Sequence, residues 1–199
     1  MILKTFESKK INLDVNKIVL FYGQNEGHKK EEISKLLIAN KNREIVKYSE
    51  NEILENSENL YNHILSESLF SQKKIIIVNR ASDKILKIIE YLNDKSFSDV
   101  FIIINAKNLE KKSKLRSFFE KSKEFISIAF YPDNNQTLEK NAALFFRENK
   151  IPMSQENLNL VISKCSGDRG ILENELNKIK LFSLNKIELI HFGFNYFNN

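Results

Sequence analysis

The feature that most constrains this chain is an alternation between two kinds of segment. Apolar runs of strand length occur at Lys17–Tyr22, Glu44–Tyr48, Lys74–Val78, Val100–Ile104 and Phe125–Phe130. Three of these are apolar nearly throughout, which suits strands covered on both faces, because a strand with one wet face alternates polar and apolar residues. The segments between them have helical spacing, as in Ile33, Leu36 and Leu37, and again in Ile85, Ile88, Ile89 and Leu92. Strand, helix and strand in repeated succession predict an α/β fold with a parallel sheet and flanking helices.

The alternation stops at Tyr131-Pro132-Asp133-Asn134-Asn135, a turn-rich stretch after which only helical patterns follow. A domain boundary is therefore expected near residue 134, dividing the chain into 1–134 and 135–199. Leu138 to Asn149 reads as one helix, and Ser154 is placed to cap a second that carries Leu158, Val161 and Ile162. Gly167 stops that helix, and Asp168 is placed to cap a third presenting Ile171, Leu172, Leu176 and Ile179. The second part is expected to be a small bundle of three helices.

Composition excludes several classes. With 199 residues, 42% of them hydrophobic, the chain is long enough for one ordinary core and a smaller one. No apolar run approaches the roughly 20 residues of a membrane span, and the first residues carry no secretory pattern, so a cytoplasmic location is expected. One cysteine, Cys165, forms no internal disulfide, and the histidines His28, His63 and His191 are far apart, so neither a metal nor another cofactor is expected. The formal charge of +5 permits a polyanionic partner without requiring one, since lysines are dispersed along the whole sequence.

The turn after the first run, Gly23-Gln24-Asn25-Glu26-Gly27-His28-Lys29, resembles a phosphate loop and departs from it in each part that matters. A working GxxxxGK[ST] loop wraps phosphates with backbone amides, sets a lysine on the outer phosphates and offers a hydroxyl to magnesium. Here Gly23 and Gly27 are one residue too close, His28 separates Gly27 from Lys29, and Lys30 or Glu31 stands where the hydroxyl belongs. Glu31 and Glu32 would oppose a triphosphate and instead suit the positive end of a helix. The run Val100–Ile104 is followed by Asn105 and Ala106, with none of the carboxylates a nucleotide hydrolase uses to hold its metal. A sheet of ATPase order without ATPase chemistry is expected.

Three segments, Phe21-Tyr22-Gly23-Gln24-Asn25-Glu26, Ser68-Leu69-Phe70-Ser71-Gln72-Lys73-Lys74 with the Ile-rich run after it, and Ser166-Gly167-Asp168-Arg169-Gly170-Ile171-Leu172, occur in this order along the chain. Together they resemble the delta subunit of the bacterial DNA polymerase III clamp loader. The resemblance implies an AAA+-like domain that does not hydrolyse ATP, followed by a small helical lid. It implies that Leu69 and Phe70 form a wedge, entering a hydrophobic pocket of the beta sliding clamp so that the ring opens for loading onto primed DNA. The expected partners are the clamp, the other loader subunits (delta prime and tau/gamma) and DNA within the assembled loader. Members of that family continue into a helical collar domain, which this chain ends too early to include; the aromatic tail, Phe192, Phe194, Tyr196 and Phe197, is expected to cover part of the sheet or the collar contact.

Each residue also has a plainer reading. An arbitrary Leu-Phe pair closes a core more often than it forms a tip, but Leu69 and Phe70 are framed by Ser68, Ser71, Gln72 and two lysines. Active AAA+ relatives place a nucleotide-sensing arginine where Arg169 stands. With no competent loop, Gly167, Asp168 and Arg169 read as helix stop, cap and first-turn residue, the arginine meeting a carboxylate such as Glu173 at i+4. Two rival classes are a P-loop ATPase, which needs the missing loop and acid, and a stand-alone DNA-binding module, which needs basic and aromatic residues on one face.

Overall fold

The computed structural model describes residues 1–65 and 73–184. Its described residues divide into two units, one comprising 1–24 and 31–130, the other 25–30 and the chain from Tyr131 onward.

The first unit contains six parallel strands: β1 (Ile2–Leu3), β2 (Ile18–Tyr22), β3 (Glu44–Ser49), β4 (Lys74–Ala81), β5 (Val100–Ala106) and β6 (Ile126–Ala129). Their order across the sheet is β1-β6-β2-β5-β4-β3, and every pairing is parallel. The helices of this part are α1 (Glu26–Ala39) from residue 31 onward, α2 (Glu50–Glu55), α3 (Ser57–Leu65), α4 (Leu86–Asn93) and α5 (Lys114–Lys121). Parallel neighbours require crossovers, and these helices supply them.

The continuous apolar runs are explained by two cores, one on each face. Ile18, Leu20, Tyr22, Ile76, Val78, Ile102 and Ile104 point to one side, where Ile53, Leu60, Ile64, Ile89, Leu92, Leu115 and Phe119 from α2 to α5 cover them. Their alternates, Val19, Phe21, Ile75, Ile77, Phe101, Ile103, Ile126 and Ile128, meet Ile33 of α1 together with Leu3, Ile11 and Leu13. Strand period two therefore sends both residue sets into apolar surroundings, and no polar stripe is needed. Five strands correspond to the five expected runs. The sixth, β1, is two residues long and carries no periodicity, so it was not anticipated; it pairs Ile2 with Ser127 and Leu3 with Ile128.

Helices α6 (Asn135–Glu148), α7 (Gln155–Ser163) and α8 (Arg169–Leu184) follow in the second unit. Caps account for their starts: Asn134 accepts from the Thr137 amide and Ser154 from the Asn157 amide. Their shared core holds Leu138, Ala142, Phe146, Leu158, Val161, Ile162, Leu172, Leu176 and Ile179. This unit begins at Tyr131, a few residues before the boundary expected at 134. It also takes residues 25–30, a membership that hydrophobic patterning does not signal.

Candidate functional site

The turn after β2 starts with Gly23, whose backbone is left-handed at φ +123°. A Cβ there would lie 2.3 Å from the Phe130 carbonyl oxygen, so glycine is required by conformation and by space alike. Its amide donates to the Lys107 carbonyl at 3.2 Å.

Within the second unit, Asn25 is the hub around which residues 25–30 are held. Its side-chain oxygen accepts from the amides of His28 (3.1 Å) and Arg169 (3.1 Å). Its side-chain nitrogen donates to the carbonyls of Tyr131 (3.3 Å) and Gly167 (3.1 Å) and to Asp133 Oδ2 (3.0 Å). Asn25 is 1% exposed, and this set satisfies an amide that would otherwise be costly to bury. As the residue before α1 it also caps that helix. Only this capping role could have been read from the sequence.

Gly27 and Gly170 bring two backbones together. A Cβ on Gly27 would lie 1.8 Å from the Gly170 nitrogen and 2.4 Å from its Cα. Asp168 closes the arrangement: Oδ1 accepts from the amides of Gly170 (2.7 Å) and Ile171 (3.1 Å), and Oδ2 from that of Gly27 (3.3 Å). The amides at the start of α8 and one from the first turn of α1 thus share a carboxylate that belongs to the chain itself. Helix N-termini attract anions because their first amides have no partner within the helix. Here Asp168 is that anion.

Lys29 does not extend into an open loop. It is 1% exposed, and its ammonium meets Glu26 Oε1 at 2.7 Å. Burial pulls its pKa below the usual lysine value, against the opposing hydrogen bond and charge of Glu26 and the charge of Asp168. Gly167 is left-handed at φ +79°, and a Cβ on it would strike Pro132 at 2.6 Å. Arg169 corrects one expectation. The sequence pattern suggested a local partner at Glu173; the structure supplies Asp133, 36 residues back, in a two-point contact from Nε at 2.7 Å and a terminal nitrogen at 3.2 Å. Local spacing reveals i+4 partners only, and Asp133 sits in a stretch that reads as a turn. Cys165 is fully buried in the bundle core, and burial, with the charges of Glu175 and Asp168, pushes its thiol up to about 11.

In the first unit, β5 ends at Asn105 and Ala106, and the side-chain nitrogen Nδ2 of Asn105 donates to Asn79 Oδ1 of β4 at 3.1 Å. Both strand ends carry a neutral amide at this level, and the Asn79 member of the pair was not singled out from sequence. Among the described residues, no group of three or more histidine, cysteine, aspartate or glutamate side chains is placed to hold a metal ion. No helix among them is long and apolar enough to cross a membrane. Leu69, Phe70 and the aromatic tail at 192–197 lie outside the described residues.

No protein-family model matches the chain, and no curated protein sequence is significantly similar to it. Solved structures are similar in fold. The DNA clamp loader delta protein of Bacillus subtilis (YqeN) superposes at a TM-score of 0.50 with 13% identity, over 89% of this chain and 56% of that one. Domain III of the replication initiation protein DnaA of Thermotoga maritima gives 0.53 at 14% identity, over 92% of this chain and 83% of that one. The replication initiator DnaA bound to AMPPCP and single-stranded DNA gives 0.60 at 14%, over 94% and 61%. The chain thus has the AAA+-like fold of these replication proteins, and it spans little more than half the length of the clamp loader protein.

Proposed function

We propose that this chain is a delta-type clamp-loader component, one that binds a ring-shaped sliding clamp and opens it while neither binding nor hydrolysing ATP. The observation that carries this reading is the Asp168 carboxylate on the amides of Gly27, Gly170 and Ile171, with Gly27 packed on Gly170 too closely to admit a methyl group. An ATP-using relative needs amides of this kind for phosphates. The buried Lys29–Glu26 pair and the amide pair of Asn79 and Asn105 support the same reading, since neither supplies a free phosphate-binding ammonium or a metal-holding carboxylate.

The wedge of the proposal is Leu69 and Phe70, which follow α3 in the sequence. Burying both in a partner pocket provides about 3–6 kcal/mol, and reversing an open-to-closed ratio of 1:99 takes about 5.5 kcal/mol. Two side chains buried to the upper end of that range hold one interface open, and lesser burial shifts the ratio part of the way, provided that their pocket is complete only in the open ring. The whole protein would act in the cytoplasm, with the other loader subunits and DNA as further partners.

Calorimetric titration of the chain into the sliding clamp of the same organism tests the proposal. Binding that is lost in Leu69→Ala/Phe70→Ala, with the variant's circular dichroism unchanged, is the expected result. Absence of binding by the folded wild-type chain, or ATP turnover by it, overturns the proposal.

A further inference from the structure

A cavity of about 470 Å³ lies in the first unit at the carboxyl ends of β3, β4 and β5. Ligand sites of parallel α/β sheets favour these strand ends, and the volume is within the range of small-ligand pockets. Its walls include Ser49, Asn51, Arg80, Ser82, Lys107 and Asn108. Every one of these side chains carries a hydrogen-bond donor, that of Ser82 being given to Glu50, and two carry positive charge.

Arg80 is there through a specific backbone device. The β4–β5 register shifts between Asn79 and Ala81, which pair with Asn105 and Ala106, so that Arg80 is the extra residue of a bulge. Its φ is 60°, a left-handed backbone that is strained for a residue with a Cβ. Bulges re-aim side chains at sheet ends, and this one turns Arg80 toward the cavity wall. The one carboxylate of the wall, Glu50, is already engaged: its Oε1 accepts from the amide of Ser82 at 2.6 Å and from its hydroxyl at 2.7 Å. Among the described residues, no carboxylate forms an ion pair with Arg80 or Lys107.

We infer that this cavity binds a phosphodiester group of a nucleic acid backbone, with Arg80 and Lys107 as its cations and Ser49, Asn51 and Asn108 as neutral donors. Both cations are exposed, so a lone phosphate would remain largely hydrated here. Such a site is suited to a polymer, whose neighbouring phosphates add contacts of the same kind. The inference deepens the proposed function by giving the chain its own contact with DNA. It is measured without any clamp, so loss of one reading is separable from loss of the other.

The test is fluorescence anisotropy of labelled oligothymidylate titrated with the full chain at several salt concentrations. Arg80→Asn/Lys107→Gln is the informative variant, because asparagine tolerates a left-handed backbone and the fold is retained. A matched control is Lys121→Gln/Lys123→Gln, which removes the same charge just before β6, at the amino end of the sheet. The expected result is a roughly tenfold loss of affinity and a salt slope smaller by about 0.7–1.4 in the first variant, with little change in the control. Equal losses in both variants, or no binding by the wild type, overturn the site. Inorganic phosphate or ATP competing as well as unlabelled oligothymidylate at equal phosphate concentration overturns the polymer assignment.

Discussion

Gly27→Ala puts two opposing effects against each other in the second unit. Gly27 lies in α1, where alanine is favoured over glycine by about 0.5–1 kcal/mol, so helix propensity alone predicts a more stable protein. The added methyl would stand 1.8 Å from the Gly170 nitrogen, about 1.6 Å inside the ordinary van der Waals range that begins at 3.4 Å. Its neighbours are backbone atoms of α8, which have no rotamer to change. Relief requires the two backbones to separate, which stretches the hydrogen bonds from Gly27 to Asp168, from Arg169 to Asn25 and from Asn25 to Gly167, now 3.3, 3.1 and 3.1 Å long. At about 1 kcal/mol for each bond, the loss exceeds the propensity gain and leaves a net destabilisation of about 2 kcal/mol. Urea unfolding followed by circular dichroism, at unchanged m-value, measures it. Gly170→Ala is the graded control, since its Cβ would meet the Asp168 oxygen at 3.0 Å, and it should cost less. A Gly27→Ala protein as stable as the wild type, or more so, would refute the close packing of the two glycines.

Other expectations follow from single contacts. The ion pair of Arg169 and Asp133 is partly buried and held at two points, so a double-mutant cycle with alanine should give a coupling of about 1–3 kcal/mol; a value below about 0.5 kcal/mol would class it with exposed pairs. Ser127 is fully buried in β6, and its hydroxyl finds no partner among the described residues, so Ser127→Ala should leave stability unchanged or raise it by up to about 1 kcal/mol, as read from the thermal midpoint. At Asp83, partial burial raises the carboxyl pKa, but hydrogen bonds from the Ser113 hydroxyl and the Leu115 and Lys114 amides outweigh it and hold the group below the usual aspartate value. Its contribution to stability is therefore present above an unfolded pKa of about 3.9 and lost as pH falls through the lower folded value. Asp83→Asn should be less stable than the wild type at neutral pH, with the gap between their urea midpoints closing in acid; a gap independent of pH would contradict this.

The sheet was legible because burial on both faces leaves a signal that does not depend on register. The Ile and Val runs at 74–78 and 100–104 have few alternatives to a covered strand, and the cap at Ser154 likewise reads locally. Contacts between residues distant in sequence were not legible. Asn25 looks like an ordinary turn residue until Tyr131, Asp133, Gly167 and Arg169 surround it, and Asp133 looks like part of a linker. Gly27 could be read as a failed phosphate-loop glycine, whereas its present use, close approach to Gly170, depends on a segment more than a hundred residues away. The bulge at Arg80 was hidden for another reason: no glycine or proline marks it, because the strain falls on an arginine.

Ring opening in the absence of nucleotide tests the central claim most directly. Sliding clamps loaded on circular DNA should be released when this chain is added without ATP, and Leu69→Ala/Phe70→Ala should release none. Clamps that remain on the DNA at chain concentrations that saturate clamp binding would contradict the account, as would release that appears only when ATP is supplied.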